Sequence, residues 1–98
     1  MNIKIHESYR KIVALADTNL IGKTFEQDIR QIKITTNFFK GEEINKEKAV
    51  EILKDLQKED ATFNIVGKES VECALKAKVI KPEGIFTIDS VPIALVLL

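Results

Sequence analysis

The sequence predicts an α+β domain: a two-layer sandwich of about five mostly antiparallel strands with two helices packed on one face. Three observations predict it. Alternating or β-branched apolar stretches occur near both ends of the chain, and two amphipathic helical stripes occupy its middle. The resulting order of strands, helices, strands segregates the two kinds of element, which a doubly wound sheet would alternate. At 98 residues, 45% of them apolar and 31% charged, the chain has the size of a single domain, 1–98, with one modest core.

Ile3 and Ile5 alternate with polar neighbours as a short first strand, and Glu7 to Arg10 turn the chain. Lys11 to Ala16 is a nearly continuous apolar run, which suits a strand covered on both faces. Asp17, Thr18 and Asn19 end it with turn formers. Ile32 and Ile34 alternate with Gln31, Lys33 and Thr35 as a third strand, and Asn37 and Gly41 punctuate the next stretch. Asn45 is placed to cap a helix over 46–58, where Ala49, Val50, Leu53 and Leu56 recur at helical spacing. Thr62 to Val66 is open between strand and helix. Gly67 reads as a chain breaker or a helix C-cap. Val71, Ala74, Leu75 and Val79 mark a second helix over 68–78. Ile85 to Ile88 and Val91 to Leu97 form a closing hairpin around Asp89-Ser90. Its last strand carries a conflict: the apolar run suits a central strand, whereas Pro92 cannot donate to a ladder and suits an edge. Either Pro92 opens the strand, or the strand's second face meets another subunit.

The inventory excludes several chemistries. Fifteen basic and fifteen acidic residues give a formal charge of zero, which disfavours a dedicated nucleic-acid binder. Arg10, Lys11, Arg30 and Lys33 would share one side of a three-stranded sheet, joined by Lys76, Lys78 and Lys81, but the six aromatic residues supply no base-stacking platform. One Cys (Cys73) and one His (His6) cannot form a zinc site or an internal disulfide. No metal and no cofactor is expected. A lone Cys fits a reducing cytoplasm, and no apolar run approaches a membrane span. The N-terminal residues do not read as a signal peptide.

Gly22-Lys23-Thr24 after a strand invites a phosphate-loop reading. The position of that motif's first glycine is Asp17, whose carboxylate repels phosphate. The stretch from Thr24 to Arg30 is too short for the crossover helix that the loop must open. The expectation is an ordinary loop with Leu20 and Phe25 docked into the core.

Four stretches in order carry a resemblance: Asp17-x-x-Leu20-x-Gly22-Lys23-Thr24-Phe25, then Phe38-Phe39-x-Gly41, Asn64-Ile65-Val66-Gly67 and Ser90-Val91-Pro92. Together they resemble the archaeal family known as domain of unknown function 424, over essentially the whole chain. The resemblance implies a compact α/β two-layer domain, an archaeal cytoplasmic setting, a stand-alone small protein and an association with translation. It implies no established activity. The family's last motif carries His and a polar residue just after the proline, where this chain has Ile93, Ala94 and Leu95. An apolar replacement fits packing or subunit contact better than acid–base work.

The recurring positions also have structural readings. Asp17 can accept backbone N–H bonds, Asn64 can cap or turn, and glycines can hold positive φ. A functional patch, if built from these motifs, comprises Asp17, Lys23, Thr24 and Asn64. The leading expectation is a non-catalytic binding module that contacts a protein or ribonucleoprotein partner. The alternatives are a small enzyme or ligand carrier using Asp17, Lys23 and Asn64, and a self-associating protein, a homo-dimer through the C-terminal strand.

Overall fold

Hydrophobic alternation along the strands demands two faces, and the chain supplies a cover for each. The computed structural model describes residues 1–97. Strands β1 (Asn2–His6), β2 (Lys11–Ala16), β5 (Glu42–Glu43), β6 (Ala61–Val66), β7 (Ile85–Ile88) and β8 (Val91–Val96) form one sheet in the order β5-β1-β2-β6-β8-β7. All neighbours are antiparallel except β2 and β6, which run parallel. The α+β class therefore holds, with six strands in the main sheet and three α-helices among the described residues.

Helices α2 (Lys46–Gln57) and α3 (Lys68–Lys76) pack on one face. Asn45 caps α2 as expected, its side chain accepting from the Lys48 amide at 2.8 Å. The α2 stripe of Ala49, Leu53 and Leu56 meets Val13, Leu15, Phe63 and Ile65 of the sheet and Val71 and Ala74 of α3. Burying each such leucine contributes about 2 kcal/mol. α3 stops two residues short of the expected end because Lys78 takes a left-handed conformation (φ 61). Its carbonyl then accepts from Gln57 Nε2 at 3.0 Å, which ties the ends of both helices together.

The opposite face departs from expectation. The third strand at Ile32 is not part of the main sheet. Strand β4 (Arg30–Lys33) pairs with β3 (Thr24–Gln27) as a separate antiparallel ribbon. Phe25 and Ile32 are directly opposite each other in it. They give the ribbon an apolar side, which is buried against Ala14, Ala16, Val66, Ile88 and Ile93. Leu20 and Phe25 thus pack against the core as expected, Leu20 from the short helical turn after β2 and Phe25 from the ribbon. A short helix, α1 (Thr36–Phe39), capped by Thr35, covers β1 and β2 beside the ribbon. Helices alone do not cover the sheet, so part of the molecule has three layers. Arg30 and Lys33 lie on the ribbon, away from Arg10 and Lys11, which pair with Asp60 and Glu59. The basic three-stranded side is not formed.

Pro92 lies in β8, an interior strand between β6 and β7. The conflict is resolved by hydrogen-bond direction. The Gly67 amide donates to the Pro92 carbonyl at 2.9 Å, so the nitrogen of Pro92 also faces Gly67. The Gly67 carbonyl instead accepts the Val71 amide at 2.9 Å, the first turn of α3. No ladder donor is missed, because the acceptor is already used by a helix. The hairpin turn has positive φ at both Asp89 (51) and Ser90 (66), the pattern of a type I′ turn that matches strand twist. No helix among the described residues is long and apolar enough to cross a membrane.

Candidate functional site

The four residues singled out in the sequence divide between two roles. Asp17, at the end of β2, is 7% exposed. Its Oδ1 accepts from the Ser70 amide (2.8 Å) and the Ser70 hydroxyl (2.7 Å), and its Oδ2 accepts from the Glu69 amide (3.1 Å). These are donors of the first turn of α3, which otherwise lacks a side-chain cap. Asp17 is therefore the N-terminal cap of a helix some fifty residues away. Gly67, read in the sequence as a breaker or C-cap, stands at the start of that helix.

Lys23 and Thr24 begin the ribbon and are exposed. The backbone of Lys23 is tied in, its amide donating to Leu20 and its carbonyl accepting from Ile34. Its ammonium has no ion pair or hydrogen bond among the described residues.

Asn64 lies in β6, between Phe63 and Ile65, which both point to the helix layer. Strand alternation puts Asn64 on the ribbon side. In register it stands between Ala14 of β2 and Leu95 of β8. On the same side, Ile12 of β2 pairs with Thr62 of β6. The ribbon and α1 leave this strip uncovered: Ile12, Thr62 and Asn64 are half-buried and Leu95 is 47% exposed. Leu97, just past β8, is 74% exposed. The Asn64 amide donates a long, weak bond to the Val13 carbonyl at 3.4 Å, and its side-chain oxygen has no partner among the described residues. An asparagine is disfavoured in a strand, and this one stands at the centre of the sheet with its side-chain oxygen open to solvent.

Leu95 is legible in the sequence only as part of an apolar run. Ile93 and Ala94, which precede it, are 0% and 1% exposed. Ile93 packs with Val66 and Ile88 under the ribbon, and Ala94 faces the helices. Both positions serve packing. Beyond the strip lies His6. Its ring stacks on Phe38 at 4.7 Å, and its Nε2 donates to the Phe38 carbonyl at 2.8 Å. It acts as a brace for α1.

A small hollow of about 180 Å³ lies between Asn2, Thr18, Ile21, Thr36 and Lys40. Its polar wall is largely self-satisfied. Asn2 donates to Thr18 and Glu43 and accepts from Gly41, and the Thr18 hydroxyl donates to Glu43 at 2.6 Å. The Thr18 bond, reinforced by the Met1 amino group, holds the Glu43 carboxyl below the usual carboxylate range. No group of three or more His, Cys, Asp or Glu able to hold a metal occurs among the described residues.

A family model described as a protein of unknown function, DUF424, matches residues 5–98. The chain belongs to this family. No curated protein matches it. It is similar in structure to an uncharacterized conserved protein from Methanopyrus kandleri, with a TM-score of 0.82 and 21% identity. The match covers 96% of this chain and 87% of the other. At that identity the likeness establishes a shared fold, and it assigns no specific function to this DUF424 protein.

Proposed function

We propose that this DUF424 protein is a small non-catalytic binding module, and that its docking surface is the uncovered strip of Ile12, Thr62, Asn64, Leu95 and Leu97. One observation carries the reading: Asn64, with Thr62 beside it on the same strand face, stands among Ile12, Leu95 and Leu97 on a half-open face of the sheet. Exposed apolar residues around a few polar groups are the composition of a contact surface, in which the polar groups set orientation and the apolar groups supply contact area. The strip is a flat sheet face, which suits a macromolecule better than a small molecule. The partner is a protein, free or within a ribonucleoprotein, in the cytoplasm.

Two features weigh against the alternatives. A reaction built on Asp17 has no accessible carboxylate to use, because Asp17 is consumed as a helix cap. Strand-to-strand dimerisation through β8 has no free edge, because β8 is flanked by β6 and β7. The test is crosslinking capture from an archaeal lysate at several salt concentrations, comparing the parent chain with Leu95→Asp. The expected result is a discrete set of proteins that the variant loses. Identical capture by both, or capture of nothing above background, sinks the reading. A dimer by light scattering that dissociates in Leu95→Asp would reassign the strip to a second copy of the chain.

A further inference from the structure

A second feature lies at the edge of the sheet, apart from the docking strip. β7 ends the main sheet, with β8 on one side and no strand on the other among the described residues. Ile88 and Val91 close the two-residue turn as a hydrogen-bonded pair. Alternation along the hairpin then makes Thr87 with Pro92, and Ile85 with Ala94, non-hydrogen-bonded pairs. The backbone groups of Ile85 and Thr87 therefore point away from β8. The ends of this outward row are tied down. The Asp89 amide donates to Gln27 Oε1 at 2.7 Å, and the Ile85 amide donates to the Pro82 carbonyl. Between these ties, the Thr87 amide, the Thr87 carbonyl and the Ile85 carbonyl have no hydrogen-bond partner among the described residues.

The two edges of the sheet differ in chemistry. At the other edge, β5 is Glu42–Glu43, and the part of β1 that it leaves bare carries Lys4 and His6. Charged and polar side chains of this kind deter strand addition. β7 reads Ile85-Phe86-Thr87-Ile88, without a charge or a proline. We propose that the β7 edge takes a short extended segment of a protein partner as an added strand. Hydrogen-bond complementarity selects this occupant. An acceptor, a donor and a second acceptor in an extended row are matched by a peptide backbone that offers N–H, C=O and N–H in turn. The segment's side chains alternate between Phe86 and Ile88 on the ribbon side and Thr87 on the other, so the fitting sequence alternates apolar and polar residues. A second copy of this chain fits less well. In an antiparallel β7–β7 pairing centred on Thr87, the Ile85 carbonyl meets an Asp89 amide that Gln27 already holds. Centred on Phe86, the Thr87 carbonyl meets an Ile85 amide that Pro82 already holds, and Asp89 stands opposite Glu83.

The experiment titrates the isotope-labelled full chain with the peptide acetyl-Thr-Val-Thr-Val-Thr-amide, followed by NMR. Its valines are N-methylated so that it cannot stack on itself. Saturable shifts centred on Phe86 and Thr87 are expected, with slower hydrogen exchange of the Thr87 amide. The same peptide N-methylated at every residue has lost its donors and should bind about tenfold more weakly, or worse. That comparison leaves the protein unaltered. Thr87→Pro removes the outward amide, which the β7–β8 ladder does not use, and should lose the binding. Leu95→Asp should leave it unchanged, which separates this edge from the docking strip. Shifts that do not saturate, shifts centred on the Leu95 face, equal affinity of the fully methylated peptide, or full affinity in Thr87→Pro would each overturn the proposal. A dimer by light scattering, with concentration-dependent shifts at Thr87 in the absence of peptide, would overturn it in favour of a second copy.

Discussion

Asp17 and Gly67 are shaped around each other. Gly67 has φ of 108, and a Cβ placed on it would lie 2.6 and 2.7 Å from the two carboxylate oxygens of Asp17. The absence of that Cβ is what lets the Asp17 carboxylate reach the Glu69 and Ser70 amides. The Asp17 amide also donates to the Val66 carbonyl at 3.0 Å, which ties the same two segments at the backbone. Two of the family-like motifs therefore meet in space for a structural reason.

A double-mutant cycle tests the pair. Asp17→Ala removes a buried cap, and Gly67→Ala adds a clash to backbone strain. Each should destabilise the protein by about 2–4 kcal/mol. In the Asp17→Ala background the clash is gone, so Gly67→Ala should cost only the strain, about 1–2 kcal/mol. Urea unfolding of the four proteins reads the coupling, and strictly additive costs would refute the arrangement.

Asn64 offers a trade between stability and binding. Its one hydrogen bond is long and its strand position is half-buried. Asn64→Val should raise stability by about 0.5–1 kcal/mol, because a strand former replaces a residue the sheet does not favour. The same change should abolish partner capture. Thermal unfolding measures the first effect, and a loss of stability of that size would show that Asn64 serves the sheet instead.

Cys73 supplies the pH dependence. Burial pushes its thiol above the ordinary range, and Glu72 adds to the shift. The native chain then keeps its proton at pH values where the unfolded chain has already lost it. Stability should fall as pH rises through the ordinary thiol range towards the native value. Alkylation by iodoacetamide at mildly alkaline pH should run about tenfold slower, or more, in the native chain than in urea. Equal rates would mean that the thiol is open to solvent.

Local pattern explains which parts of the fold are legible in the sequence. The α2 stripe, the Asn45 cap and the closing hairpin depend on residues within a few positions of one another, and each is present. The ribbon is not legible, because Thr24 to Gln27 has only one large apolar residue, Phe25, and its strand character comes from pairing with Arg30–Lys33. Thr62 to Val66 is ambiguous because its outward positions, Thr62 and Asn64, are polar while Val66 is buried under the ribbon. For the candidate site, Asn64 is visible as a polar residue in a recurring motif. Its neighbours Ile12 and Leu95 are not, because they join it only across two strand pairings.

The order of residues alone settled the class and the two amphipathic helices, since periodicity acts locally. Long-range pairing decided the rest. It set β2 parallel to β6, placed Pro92 inside the sheet, made Asp17 a helix cap and left Asn64 on an open face. Each of those outcomes depends on hydrogen bonds between residues far apart in the chain. A polar side chain takes its role from whichever donors and acceptors folding brings to it.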